Sequence, residues 1–349
     1  MKHNAGHRDA GLPCRVEADT PCGSTRRAFL IALGTYALAA PLASFAQQQP
    51  KVTRIGFLGP ESASRYASRM EALRAGLRDL GYVEGKNLII EFRWAEGKYD
   101  RLPDLASELV RSKVDVIVTG GTPGVLAAKR ATTTIPIVMA ASGDAIAHGL
   151  VVSLARPGGN ITGSTFFSPE LSAKRLELLK ETMRRITQVA VLLNPDNTAI
   201  GPDFQAMQIA AKSMKMELQP FEARGPNEFD SAFSAMAKRR VDAVAIHQDP
   251  MLTANARAIA NLAAKLRLPS IGGTEFAEAG GLIGYGANLP DLYRRAATYV
   301  DKILKGAKPA ELPVEQPIKF ELVINMKTAN ALGIKIPNSI LLRATKVIE

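Results

Sequence analysis

Val114-Asp115-Val116-Ile117-Val118 is answered further along the chain by Val241-Asp242-Ala243-Val244-Ala245-Ile246. Each follows a polar–apolar helical stretch, Arg101–Lys113 in the first case and Asn227–Arg240 in the second. Each leads through another helical stretch into a short apolar run beside a proline, Ile135-Pro136-Ile137-Val138 and Leu268-Pro269-Ser270-Ile271. Upstream, Arg54-Ile55-Gly56-Phe57-Leu58 matches Val189-Ala190-Val191-Leu192-Leu193. The repeated unit alternates strand and helix, so the chain reads as α/β, with two Rossmann-like lobes built on parallel sheets. Two lobes that face one another enclose a cleft, and such clefts hold small ligands.

Working outward, a helix over Arg65–Leu80 sets Met70, Leu73, Leu77 and Leu80 on one face and stops at Gly81. Asn87–Trp94 reads as a strand, Leu102–Lys113 and Gly124–Ala131 as helices. Residues 143–170 are rich in Gly, Pro and Ser and are expected to be irregular, carrying the first crossing between lobes. Beyond it come helices at Lys174–Met183, 202–215, 227–240 and 253–266, with strands at Glu217–Phe221 and Gly281–Tyr285. Asp291–Lys305 is a long amphipathic helix, and the tail holds strand-like Phe320–Ile324 and short helices at Met326–Leu332 and Asn338–Arg343.

The chain has 349 residues, 46% hydrophobic and 22% charged, which fits two domains of ordinary size and excludes a disordered chain or an integral membrane protein. Ser24-Thr25-Arg26-Arg27-Ala28-Phe29-Leu30 has a twin-arginine pattern, followed by a short apolar run to Leu42 and by Ser44-Phe45-Ala46. Residues 1–46 are therefore expected to be a cleaved signal peptide, through the Tat or the Sec route, leaving a soluble periplasmic protein. Both cysteines, Cys14 and Cys22, precede the run, so disulfides, thiolate catalysis, cysteine metal sites and lipid anchoring are excluded for the mature chain. Cleavage removes five basic and three acidic residues and leaves a net charge of about +9. These charges are spread along helices rather than clustered with aromatics, which reads as a solvated surface and not as a nucleic-acid site.

Ligands of parallel sheets bind outside the carboxyl ends of the strands. The strand-end loops supply Glu61 and Ser62, Trp94, Gly121-Thr122-Pro123, Ser142 and Asp144 in the first lobe. The second lobe supplies Asn194 and Asn197, Asp249, Thr274 and Glu275, and Tyr285. Gly120–Gly124 joins a strand directly to a helix start, where free N–H groups and the Thr122 hydroxyl suit a carboxylate; a tight turn capped by Thr122 is the alternative. It is neither a P-loop nor a GxGxxG motif. Asp249 and Glu275 are placed to hold a ligand ammonium or to cap helices. Trp94 and Tyr285 are placed either to stack on a ligand or to pack. His148 and His247 stand apart in sequence, in no metal-ligand spacing, and no nucleophile elbow is present. No metal, cofactor or catalytic constellation is expected.

Several longer stretches resemble one family. They are Arg74-Ala75-Gly76-Leu77-Arg78-Asp79-Leu80-Gly81-Tyr82-Val83-Glu84-Gly85, Tyr99-Asp100-Arg101-Leu102-Pro103 and Ser153-Leu154-Ala155-Arg156-Pro157-Gly158-Gly159-Asn160-Ile161-Thr162-Gly163. Lys174-Arg175-Leu176-Glu177-Leu178-Leu179-Lys180, Tyr299-Val300-Asp301-Lys302-Ile303-Leu304-Lys305-Gly306 and Phe320-Glu321-Leu322-Val323-Ile324-Asn325 complete the set. From about Arg54 onward the chain resembles the ABC-transporter substrate-binding proteins of the tryptophan/tyrosine type. The resemblance implies a type I periplasmic-binding-protein architecture with three hinge crossings, lobe one at 51–163 plus 288–319 and lobe two at 164–287 plus 320–349. It implies a monomeric, non-enzymatic receptor that closes on a small solute, an amino acid or related carboxylate, and delivers it to an ABC permease in the inner membrane. On the family pattern Thr122 and Ser142 would face a carboxylate and Asp249 an ammonium. Arg93-Trp94-Ala95-Glu96 stands where amino-acid binders offer amide side chains, a departure from that pattern. A secreted α/β enzyme or a solute sensor using the same cleft is the competing reading.

Overall fold

The computed structural model describes residues 52–166, 168–198 and 200–349. The signal segment expected at 1–46, with Cys14 and Cys22, lies outside the described residues.

One sheet contains β1 (Thr53–Gly59), β2 (Leu88–Trp94), β3 (Val116–Gly120), β4 (Ile137–Ser142) and β5 (Ile161–Thr165). They are all parallel, in the order β2-β1-β3-β4-β5. The helices α1 (Ala67–Asp79), α2 (Leu102–Arg111) and α3 (Thr122–Ala131) fill its crossovers. Every residue of β3 and β4 is buried, because helices cover both faces.

The chain then crosses into α4 (Ser168–Thr182) and a second sheet. Its strands are β6 (Gln188–Leu193), β7 (Glu217–Glu222), β8 (Ala243–Ile246), β9 (Ser270–Gly272), β10 (Ile283–Gly286), β11 (Glu321–Asn325) and β12 (Lys346–Ile348). They run in the order β12-β11-β10-β9-β8-β6-β7. Between them lie α5 (Ile200–Ser213), α6 (Pro226–Lys238), α7 (Pro250–Ala254), α8 (Ala256–Lys265) and α9 (Thr274–Glu278). After β10 the chain returns to the first sheet as α10 (Leu289–Leu304), which packs on α1, β4 and β5. It crosses a third time into β11, α11 (Met326–Leu332), α12 (Asn338–Leu341) and β12. The order β7-β6-β8-β9-β10 repeats that of the first sheet, so the repeat in the sequence is a repeat of topology. In each sheet the order reverses beside the first strand, between β1 and β3 and between β6 and β8, where a crevice opens at the carboxyl ends.

Four expectations need correction, and one strand was not expected. Leu80 does not join the buried stripe of α1; it caps the helix and is 37% exposed, because the helix ends at Asp79 before completing that turn. The stretch 143–170 is not wholly irregular, since it contains β5. That strand is short and hydroxyl-rich, and its burial comes from tertiary partners: Thr162 Oγ1 donates to Leu312 O at 2.8 Å, and Thr165 N donates to Glu315 O at 2.9 Å. The helix expected at 253–266 is two helices, divided at Asn255, whose Nδ2 donates to Met251 O at 2.8 Å. The second sheet is not purely parallel, because β11 runs antiparallel to β10. β12, beside β11, went unread because three residues leave no periodicity. No helix among the described residues is long and apolar enough to cross a membrane.

Candidate functional site

The two lobes meet at the two crevices. Where β3 ends, Gly120 and Gly121 bring the chain directly into α3; Gly121 takes φ +80°, a conformation open to glycine and strained for other residues. Pro123 in the first helical turn has no N–H to lose there and is buried. The Thr122 hydroxyl accepts from Gly143 N at 3.2 Å and lies 3.5 Å from Ser142 Oγ, so two hydroxyls are clustered at the helix start.

The facing loop after β8 carries His247, Gln248 and Asp249. Asp249 caps α7, its Oδ1 accepting from Met251 N at 2.9 Å and Leu252 N at 3.1 Å. Asn194 and Asn197, from the turn after β6, donate to its two oxygens at 3.3 and 3.0 Å. Tyr99, on the first lobe, reaches across: its hydroxyl donates to Asp249 Oδ2 at 3.1 Å and accepts from Met251 N at 3.0 Å. Burial pushes the Asp249 carboxyl up, against the Leu252 N–H and the asparagine amides, which hold it down. Burial, with the Asp249 charge, holds the Tyr99 phenol well above its usual range. On the other side of the cleft Arg69 of α1 pairs with Glu275 of α9 at 2.6 Å, and Arg65 Nη1 donates to Ala254 O. These contacts hold the lobes together in a closed arrangement.

They border a cavity between the lobes. Gly121 and Thr122 form one wall, and Asn197 and His247-Gln248-Asp249 the other. Phe166, Leu289, Tyr66 and Tyr293 supply apolar surface, and Arg69 and Asp203 supply charge. His247 is 3% exposed, and neither ring nitrogen has a hydrogen-bond partner among the described residues; its Nε2 is 3.4 Å from Asp203 Oδ2 but out of line. Arg69 Nε is likewise buried, with no hydrogen-bond partner among the described residues. A second, smaller cavity shares Phe166, Gln248 and Leu289 with the first. Arg175, Thr274 and Glu275 line it.

Gly121, Thr122, Asn197 and Asp249 thus stand on the larger cavity, Thr274 and Glu275 on the smaller. Ser142 and Pro123 lie directly behind Thr122, and Asn194 behind Asp249. The remaining candidates line neither cavity. Trp94 stacks on Phe92 at 5.7 Å and packs against Phe57 at 5.2 Å, while Arg93 bonds Glu108 at 2.7 Å. Tyr285 packs on Phe320, Ser62 bonds Ser64, and Asp144 caps its own turn by accepting from Ile146 and Ala147 N–H. Glu61 is buried near Gly97, its Oε1 without a hydrogen-bond partner among the described residues; burial pushes its carboxyl up to about 7, with Arg65 opposing.

Sequence reading passed over Arg69, Arg175 and Asp203, and one signal marks all three. Each is a charged residue in phase with a buried helical stripe: Arg69 with Leu73 and Gly76, Arg175 with Leu178 and Leu179, Asp203 with Met207 and Ala211. A charge on the inward face of a helix needs a polar destination, and in all three cases that is the cleft. Among the described residues no group of three or more His, Cys, Asp or Glu side chains is placed to hold a metal ion.

Comparison with known proteins agrees with this geometry. A tyrosine-binding protein of Clostridioides difficile (strain R20291) is 28% identical over 261 residues, covering 74% of each chain. A conserved domain protein of Vibrio cholerae O1 biovar El Tor superposes with a TM-score of 0.80 at 29% identity, over 85% of this chain and 100% of that one. An ABC domain of Streptococcus pneumoniae in complex with L-Trp gives 0.77 at 28% identity, over 85% of this chain and 99% of that one. The family model described as ABC transporter substrate binding protein matches residues 61–348. The chain belongs to that family, and is a protein that binds a small ligand rather than an enzyme.

Proposed function

We propose that this protein is the periplasmic receptor of an ABC importer, exported by its first 46 residues, and that as a monomer it carries an amino acid or a related small carboxylate to a permease in the inner membrane. The carrying observation is that the cavity takes its walls from both lobes, at Gly121–Thr122 and at Asn197 and His247–Asp249. A solute there touches both walls only when the lobes are closed, so it binds the closed form better and shifts the population toward it. Thr122, with Ser142 behind, offers its hydroxyl and the helix start to the carboxylate, while the Gly121 N–H is held by Ala141 O at 2.7 Å and Gly121 keeps the approach clear. Asp249, with Asn194 and Asn197, gives the opposite wall its negative charge, suited to an ammonium. The relatives that bind tyrosine and L-Trp support the amino-acid class. The lobes are then 51–163 plus 288–319 and 164–287 plus 320–349, with the first boundary moved to Thr165, where β5 ends.

A thermal-shift screen of the purified protein, refolded from denaturant to strip carried solute, tests this reading. Amino acids or small carboxylates should raise the melting temperature saturably, as any ligand of the folded state does by mass action. A saturable shift given by sugars or purines alone would reject the ligand class. Retention of the protein in the cytoplasm of fractionated cells would reject the periplasmic receptor.

A further inference from the structure

Two arginines lie buried at the cleft, and among the described residues only one has a counter-charge. Arg69 is paired with Glu275. Arg175, 3% exposed, has no carboxylate within ion-pair distance among the described residues. Its Nε donates to Tyr285 O at 2.7 Å and its Nη2 to Gln248 Oε1 at 2.6 Å, both neutral acceptors, and Nη1 bonds to no described residue. Loss of hydration pushes the group down to about 10, the direction expected of a cation stripped of water without an anion in return.

The surroundings keep space open in front of it. Arg175 lines the smaller cavity, which borders the larger one and shares Phe166, Gln248 and Leu289 with it. Gly273 and Gly286 border the same cavity, and neither has a positive φ, so the backbone does not demand glycine at either place. A Cβ on Gly286 would stand 3.2 Å from Arg175 Nη2, and one on Gly273 would stand 3.2 Å from Gln248 Oε1. Side chains at these two positions would crowd the guanidinium and the amide that orients it. Glu275, the acidic group on this cavity, is already held by Arg69.

We propose that Arg175 is an anion subsite, and that the solute carries two anionic ends, one at Gly121–Thr122 and one at Arg175, as a dicarboxylate or an acidic amino acid does. This deepens the receptor reading and rests on it. A planar guanidinium fixed through Nε and Nη2 presents its remaining N–H groups in a fork that matches a carboxylate. Gln248, touching both cavities, sets its orientation.

The test is titration calorimetry with matched pairs that differ by one charge: glutamate against glutamine, and benzene-1,4-dicarboxylate against benzoate. The dianionic or acidic partner should bind at least about 10-fold more tightly in one of these pairs. Arg175→Gln should bring that ratio toward one, and Arg175→Lys should keep part of it. Saturable binding with glutamine or benzoate equal to or tighter than its acidic partner overturns the subsite while leaving the receptor reading in place. Saturation with none of the four, nor with any other amino acid or carboxylate, rejects both. Should Arg175→Gln fail to fold, the order within each pair for the native protein still decides.

Discussion

Gly121 and Pro250 face each other across the cleft so closely that a Cβ on Gly121 would lie 2.5 Å from Pro250 Cγ. The first residue belongs to the turn after β3, the second opens α7. Closure therefore depends on a missing side chain in one lobe meeting a rigid ring in the other.

Gly121→Ala should bring two costs. Its φ of +80° becomes strained, by about 1–2 kcal/mol, and the methyl keeps Pro250 at a distance. The expected outcome is a stably folded protein with solute affinity lowered at least about 10-fold and a larger radius of gyration in small-angle scattering. Wild-type affinity in this variant would show that closure tolerates the methyl.

The Tyr99 hydroxyl is buried and bonds both Asp249 and Met251 N. Tyr99→Phe keeps the ring and removes this bond across the cleft, which costs about 0.5–1.5 kcal/mol because Asp249 and the Met251 N–H keep their other partners. Much of that loss falls on the closed form, where the contact exists, so calorimetry should give weaker binding with little change in the midpoint of solute-free unfolding. A change in the unfolding midpoint with unaltered affinity would place the bond's role in folding instead.

Glu275→Gln leaves the Arg69 guanidinium buried without its counter-charge. Breaking a buried pair costs about 3–5 kcal/mol, less here because the Glu275 side chain keeps 26% of its exposure. A lower urea midpoint is expected, and Arg69→Met combined with Glu275→Leu should recover most of it, since neither charge is then stranded. A double variant weaker than Glu275→Gln alone would contradict this account.

Glu61 predicts a pH dependence of stability. Burial, the largest cause, raises its carboxyl from about 4.5 to about 7 in the folded protein. Between these values the folded state holds a proton that the unfolded state has released, so its contribution is full below about 4.5 and is lost as pH rises through about 7. Urea midpoints compared at pH 5 and pH 8 should fall in the native protein and fall less in Glu61→Gln. Equal falls in both would assign the dependence to other groups.

The architecture was legible because parallel strands buried on both faces must be continuously apolar, and Val114–Val118 and Val241–Ile246 satisfy that wherever they are placed. The loops at the crevices followed from the same rule, which brought Gly121, Thr122, Asn197 and Asp249 onto the cavity. Trp94 and Tyr285 also stand near strand ends, yet pack into aromatic clusters, because a strand end does not reveal which face its last side chain takes. β5 escaped notice since Ile161-Thr162-Gly163-Ser164-Thr165 has one large apolar residue, and its pairing is fixed by β4 and the segment around Glu315.

The sequence by itself determined two α/β lobes, their repeated topology and the loops that border the cleft. Only the tertiary structure decided which charges meet. Arg69 finds Glu275 206 residues away, Tyr99 finds Asp249 150 residues away, and Arg175 finds no acid among the described residues. Hydrophobic periodicity is local and survives in a single stretch of chain, whereas the partner of a buried charge depends on which elements the fold sets side by side.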